Sequence, residues 1–129
     1  MFSHIPKLVT KDHNQIIYKS IKMDEVETPV NQMAKDKVPG PNGFTTNFFH
    51  ASWNWLKEEI VDLVEDSQKL GTIIKVLNST FLALIPKESG TEHPGKLRPI
   101  SLCNVIYKII SKVIANHLKP ILPLIISLE

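Results

Sequence analysis

The sequence predicts an α+β fold, predominantly helical, with one short β-hairpin among long amphipathic helices. Three observations lead there. Residues 46–70 carry apolar side chains at helical spacing, residues 105–118 carry a broader stripe of the same kind, and two short extended runs between them flank a polar loop. With 129 residues, 43% hydrophobic and 22% charged, the chain has the balance of one ordinary globular unit and not of a large multidomain enzyme. A domain of that size buries about two-thirds of the surface its unfolded chain exposes, enough for a modest core.

Residues 10–37 read as two short helical segments. Thr10 caps the first through His13, with Ile16 and Ile17 turned inward, and Asp24 starts the second, whose apolar side is Val26, Val30 and Met33. Pro29 falls inside that second pattern, where a missing N–H and a crowded preceding turn cost about 3 kcal/mol, so this helix is expected to be short, kinked or displaced. The run Val38-Pro39-Gly40-Pro41-Asn42-Gly43 is the densest turn signal in the chain. Thr45 or Thr46 then caps a long helix to about Leu70, which Gly71 stops. Its inward stripe is Phe49, Trp53, Leu56, Ile60, Leu63 and Ser67, opposite Lys57, Glu58, Asp62, Glu65 and Asp66.

Beyond Gly71, Ser79-Thr80-Phe81-Leu82-Ala83-Leu84-Ile85 predicts a strand ended by Pro86. After a polar loop, Leu97-Arg98-Pro99-Ile100-Ser101-Leu102 is extended because Pro99 disfavours helix at Arg98, and the two runs predict a hairpin with a basic tip. A last helix, capped by Asn104 or Ser101, runs over residues 105–118 and ends before Pro120, with Val105, Ile106, Ile109, Ile110, Val113, Ile114 and Leu118 as its apolar side.

The net charge of +2 is unevenly spread: residues 1–43 carry +1, residues 44–70 carry −3 and residues 71–129 carry +4, so a phosphate-bearing partner is drawn to the C-terminal half. Arg98 is the one arginine beside 14 lysines. The single Cys103 excludes an internal disulfide. No apolar stretch approaches the roughly 20 residues of a membrane span, and residues 1–10 do not read as a cleaved signal. The expected location is therefore intracellular, in cytoplasm or nucleus, with no membrane partner.

A self-sufficient enzyme signature is missing. His4, His13, His50, His93 and His117 show no metal-ligand spacing, Gly40 and Gly43 lack the lysine of a phosphate loop, and Cys103 reads as an inert thiol. The best lead is basic: Lys75, Lys87, Lys96 and Arg98 around the hairpin, where Arg98 offers a planar fork and the lysines point charges.

Three strings then identify a family resemblance. Phe81-Leu82-Ala83-Leu84-Ile85-Pro86-Lys87, the run from Arg98-Pro99-Ile100-Ser101-Leu102-Cys103-Asn104 through Val105-Ile106-Tyr107-Lys108-Ile109-Ile110-Ser111-Lys112, and Ala115-Asn116-His117-Leu118-Lys119-Pro120 resemble reverse transcriptases of non-LTR retrotransposons, the long interspersed elements of plant genomes. Pro39-Gly40-Pro41-Asn42-Gly43-Phe44 and Leu77-Asn78-Ser79-Thr80-Phe81 match that family's turn and the stretch leading into its strand. The likeness covers residues 38–126 in the family's order, more weakly back to Ile5.

The resemblance implies a partial right-hand polymerase fold: residues 1–37 a helical region before the polymerase motifs, residues 38–129 a truncated domain holding the fingers and the beginning of the palm. It implies Lys87 and Arg98 as contacts to the nucleotide triphosphate, and Asn104 and Tyr107 near the nucleotide or template. Lys75, Lys96, Lys108 and Lys112 would form a supporting basic patch, and an RNA or DNA template would be the partner. The complete family enzyme uses Mg²⁺ held by an early palm Asp and a Tyr-x-Asp-Asp hairpin. Here all five aspartates, Asp12, Asp24, Asp36, Asp62 and Asp66, precede the fingers motifs and none is adjacent to another, so no catalytic residue, metal site or cofactor is expected in this chain. Asn42 stands in place of the family's Asp, His117 in place of its Arg, and Leu128-Glu129 follows Ser127 where the family has Pro and then Gln.

The leading expectation is accordingly a reverse transcriptase fragment inactive on its own. The alternatives are a residual single-stranded RNA- or DNA-binding module and a helical interaction fragment that self-associates through its last helix and the tail Ile121-Leu122-Pro123-Leu124-Ile125-Ile126. Marginal stability is expected, because that helix and tail would lack palm elements to pack against.

Overall fold

The computed structural model describes residues 8–91 and 93–126; the readings placed on residues 1–7, including His4, and on Ser127-Leu128-Glu129 lie outside the described residues. In chain order the elements are α1 (Lys11–Ile17), α2 (Met23–Gln32), α3 (Thr46–Leu70), β1 (Thr80–Pro86), a short 3₁₀ turn (Pro94–Lys96), β2 (Leu97–Cys103), α4 (Val105–Leu118) and α5 (Leu122–Ile125). The chain is thus mostly helical with a two-stranded antiparallel sheet, as the sequence predicts.

Each helix start follows from local chemistry. The Thr10 hydroxyl accepts from His13 N–H at 3.3 Å and His13 Nδ1 accepts from Thr10 N–H at 3.2 Å, a reciprocal cap that satisfies two otherwise orphaned donors. α2 begins one residue earlier than expected, and Lys22 N–H donates to Glu25 Oε2 at 2.8 Å while Asp24 sits within the first turn. The helix passes through Pro29 to Gln32. Val26, Pro29 and Val30 are all buried, and at ~1.5–3 kcal/mol for each large apolar side chain their burial offsets the ~3 kcal/mol cost of the proline. Thr45 caps α3 by accepting from Phe48 N–H at 3.3 Å, and Gly71 ends it in the left-handed region at φ 64°.

α2, α3 and α4 pack around one core, with α1 laid against α4. Val26 and Val30 meet Phe49, Trp53, Ile60 and Val64 of α3 and Val105, Ile109, Ile110 and Val113 of α4. Two expectations are corrected here. Val64 is wholly buried where Leu63 was expected, because α3 also turns its flank toward α4, and Ile16 is exposed while Ile17 is half-buried, because seven residues of α1 reach the bundle by one edge only. Trp53 Nε1 donates to Glu27 Oε1 at 3.0 Å, so the largest buried ring keeps its polar atom satisfied.

The expected unpartnered C-terminal stripe is corrected in part. Val105, Ile109, Ile110 and Val113 find partners inside the chain, since α2 covers them, and Ile121 is buried; Leu122, Leu124, Ile125 and Ile126 remain exposed. Among the described residues, no helix is long and apolar enough to cross a membrane.

β1 and β2 pair from Thr80↔Cys103 to Pro86↔Leu97. Lys87 N–H donates to Lys96 C=O at 2.8 Å, which continues the ladder by one pair and fixes its phase. Pairs with a bond alternate with pairs lacking one, so Leu84↔Pro99 and Pro86↔Leu97 fall where no N–H is needed. Both prolines are tolerated for that reason. The hairpin projects from the helices, and six of the seven β1 residues are exposed.

Candidate nucleic-acid interface

Side chains alternate between the faces of a strand, so the register assigns each hairpin residue to a side. Phe81, Ala83, Ile85, Leu102, Ile100 and Arg98 share one face, and the bonded Lys87–Lys96 pair extends it to the tip. The opposite face carries Thr80, Leu82, Leu84, Pro86, Leu97, Pro99, Ser101 and Cys103. Three cations therefore crown a surface on which Phe81 is 57% and Ile100 40% exposed.

The tip is ordered by its own polar groups. Lys87 Nζ donates to Gly95 C=O at 3.1 Å, Lys96 Nζ pairs with Glu88 Oε2 at 2.8 Å, and Gly95 N–H donates to His93 Nδ1 at 3.2 Å. The Lys96–Glu88 pair is exposed and so contributes little stability. Arg98 has no hydrogen-bond or ion-pair partner among the described residues, leaving its five donors open to an anion.

Asn104 occupies a different environment. It is fully buried at the junction of β2 and α4, and its side chain makes no helix-cap bond, which corrects the expected cap. Its Oδ1 accepts from Asn42 N–H at 3.0 Å, and its Nδ2 donates to Val76 C=O and Leu77 C=O, each at 3.1 Å. A donor on one side and carbonyls on the other admit only this amide orientation. Beside it Gly40 approaches so closely that a Cβ there would lie 2.4 Å from Asn104 N. Asn42 Oδ1 accepts from Phe44 N–H at 3.2 Å, an acceptor that an Asp would equally supply. The turn at 39–43, the stretch at 76–79 and the start of α4 are locked together here, one residue beyond the strand that carries Arg98.

The remaining basic residues do not join the hairpin face as one patch. Lys108 and Lys112 lie one turn apart on α4, lining a groove with Pro29, Gln32 and Met33 of the α2 end. Lys75 borders a separate hollow at the end of α3, with Leu70 and Ile73. Tyr107 is half-buried near the start of α4, and its hydroxyl has no partner among the described residues. The Asn104 node and the α2–α4 groove were not expected from the sequence. An asparagine before a helix signals a cap, and nothing local announces that it will turn inward.

The described histidines are engaged structurally. His13 caps α1, His50 Nε2 lies 3.3 Å from Met33 C=O, His93 caps the 3₁₀ turn, and buried His117 bridges Ile17 C=O at 3.3 Å and Glu25 Oε1 at 3.2 Å. Cys103 is half-buried, and its sulfur accepts from the Thr80 hydroxyl across the strands at 3.5 Å. Among the described residues, no three His, Cys, Asp or Glu side chains come together in a way that would hold a metal ion.

Comparison with known proteins finds sequence similarity to proteins of transposable elements. The chain is 28% identical over 115 residues, 89% of its length, to the transposon TX1 uncharacterized 149 kDa protein of Xenopus laevis. It is 28% identical over 102 residues to the retrovirus-related Pol polyprotein from the type-1 retrotransposable element R2 of Nasonia vitripennis, and 25% identical over 106 residues to that of Bradysia coprophila. These matches cover 79% and 81% of this chain. The chain spans about a tenth of the length of these relatives, 9%, 9% and 12% respectively. No protein-family model matches it.

Proposed function

We propose that this chain is a reverse transcriptase segment, the fingers and the beginning of the palm, which binds nucleic acid and nucleotide phosphates through its hairpin and does not itself synthesise DNA. The similarity to retrotransposon Pol proteins supports the family. The observation that carries the role is the strand register, which aligns Arg98, Lys87 and Lys96 on one face with Phe81 and Ile100. A guanidinium fork grips phosphate oxygens through parallel N–H donors, the lysines add point charge, and the exposed ring offers a π-face to an unstacked base. Asn104 serves this arrangement from behind, fixing the strand end to the helical core, and half-buried Tyr107 on α4 is, of the two, the candidate for direct contact.

Phosphoryl transfer to a primer hydroxyl uses two divalent ions held by carboxylates. The residues of this chain do not fit such a site: no two aspartates are adjacent in its sequence, and among the described residues no three His, Cys, Asp or Glu side chains come together to hold a metal ion, so no step through Mg²⁺ is assigned to it.

The test is fluorescence anisotropy with a labelled single-stranded RNA, titrated with salt. Binding is expected at low salt and to weaken steeply as salt rises. In the Lys87→Gln/Arg98→Gln variant the log–log salt slope should become shallower by about 1.4, two lost phosphate contacts at ~0.7 each. An unchanged slope would overturn the assignment. In primer extension with Mg²⁺ or Mn²⁺ no product is expected, and template-dependent incorporation would refute the non-catalytic reading.

A further inference from the structure

The groove between the C-terminal end of α2 and the face of α4 is occupied by none of the described residues, and its lining is chemically specific. It has a volume of about 290 Å³ and is lined by Pro29, Gln32, Met33, Lys108 and Lys112. Its floor is rigid. Pro29 is fully buried, Met33 N–H donates to Val30 C=O at 3.2 Å, and the Met33 carbonyl faces His50 Nε2 at 3.3 Å.

Its rim is cationic. Lys108 is half-buried, Lys112 is exposed, and neither has a hydrogen-bond or ion-pair partner among the described residues. Two acids of the facing helix already hold other partners, Glu27 the Trp53 indole N–H and Glu25 the His117 ring. Like charges four residues apart on a helix destabilise it by a few tenths of a kcal/mol, so this pair is not a device for stability. An anion between the two ammonium groups removes that repulsion. The Gln32 amide adds a neutral donor, and half-buried Met33 offers an apolar thioether beside it.

We propose that this groove is a second phosphate site, taking a phosphodiester of a nucleic-acid strand between Lys108 and Lys112 with the adjoining sugar or base against Met33. It is separate from the hairpin face, and it rests on the proposed function only for the choice of nucleic acid as ligand. With contacts on β2 and on α4, the chain holds a strand at two points, on either side of the Asn104 junction.

The full chain is tested with the same labelled RNA and with inorganic phosphate alone. Lys108→Gln/Lys112→Gln keeps most of the alkyl stems, and an unchanged circular dichroism spectrum controls for folding. Relative to the parent, RNA affinity at low salt should fall roughly tenfold and the salt slope should become shallower by about 1.4. The Met33 methyl resonance should move when RNA is added to the parent and stay still in the variant. Unchanged affinity and slope together with a silent Met33 signal would overturn the groove site; if Lys87→Gln/Arg98→Gln still weakens binding, the hairpin assignment stands without it. If the hairpin variant is silent while the groove variant weakens binding, the hairpin assignment falls and the groove stands. Movement of Met33 by inorganic phosphate as large as that by RNA, with no tighter binding of the strand, would assign the groove to a small free phosphate and overturn the strand site.

Discussion

Asn104 shows how one side chain sets the position of a functional strand. It is fully buried, and one amide satisfies an N–H from the turn at 42 and carbonyls at 76 and 77. Each of those groups, left unpaired, costs about 1–3 kcal/mol. Asn104→Asp preserves the acceptor for Asn42 N–H but sets a carboxylate oxygen against carbonyls, and should lower stability by about 3 kcal/mol in urea unfolding. Gly40→Ala should also destabilise, because its Cβ would meet backbone at 2.4 Å and not the end of a flexible side chain. On the solvent side of α3, the hydrogen bond from Lys69 at 2.9 Å and its charge hold the Glu65 carboxyl below its usual range and raise the Lys69 pKa. The depressed carboxylate contributes stability above its unfolded pKa and loses it as pH falls through the folded value. NMR titration should find the Glu65 pKa low in the parent and closer to normal in Lys69→Met.

At the scale of elements, the helices and the hairpin are stabilised differently. α4 buries Val105, Ile109, Ile110 and Val113 under α2, whereas the hairpin presents apolar residues outward: Phe81 is 57%, Leu82 67% and Leu84 58% exposed. Ile109→Ala should therefore cost about 3 kcal/mol, while Phe81→Ser and Ile100→Ser should each change stability by less than ~0.5 kcal/mol and weaken RNA binding instead. Denaturant unfolding beside anisotropy separates the two effects. Every principal element was legible in the sequence, because caps such as Thr10 and Thr45, the stop at Gly71 and the proline-bounded strands are local signals. Less legible was which neighbour covers which stripe. Val64 replaces Leu63 in the core and α2 persists through Pro29, since tertiary burial decides both. That Lys87 and Arg98 lie close together toward the hairpin tip could be read from the two extended runs, but Lys108 and Lys112 separate from them because a groove with α2 depends on how two distant helices cross.

For the whole molecule, the charge asymmetry takes on a spatial meaning. Six of the seven basic residues of 71–129 lie on the hairpin face (Lys87, Lys96, Arg98), in the α4 groove (Lys108, Lys112) and at the end of α3 (Lys75), while the acids of residues 44–70 lie along the solvent side of one helix. A polyanion is thereby drawn to β2 and α4 and turned away from α3. The core unites residues before and after the turn at 39–43, so the regions of 1–37 and 38–129 share one interior among the described residues. Lysine footprinting tests the central claim most directly: the full chain is acetylated with and without single-stranded RNA at low salt, and each lysine is quantified by mass spectrometry. Lys87 and Lys96 should be protected by RNA while Lys57 and Lys69 on α3 remain equally modified. Unprotected hairpin lysines, or protection spread evenly over α3, would contradict it.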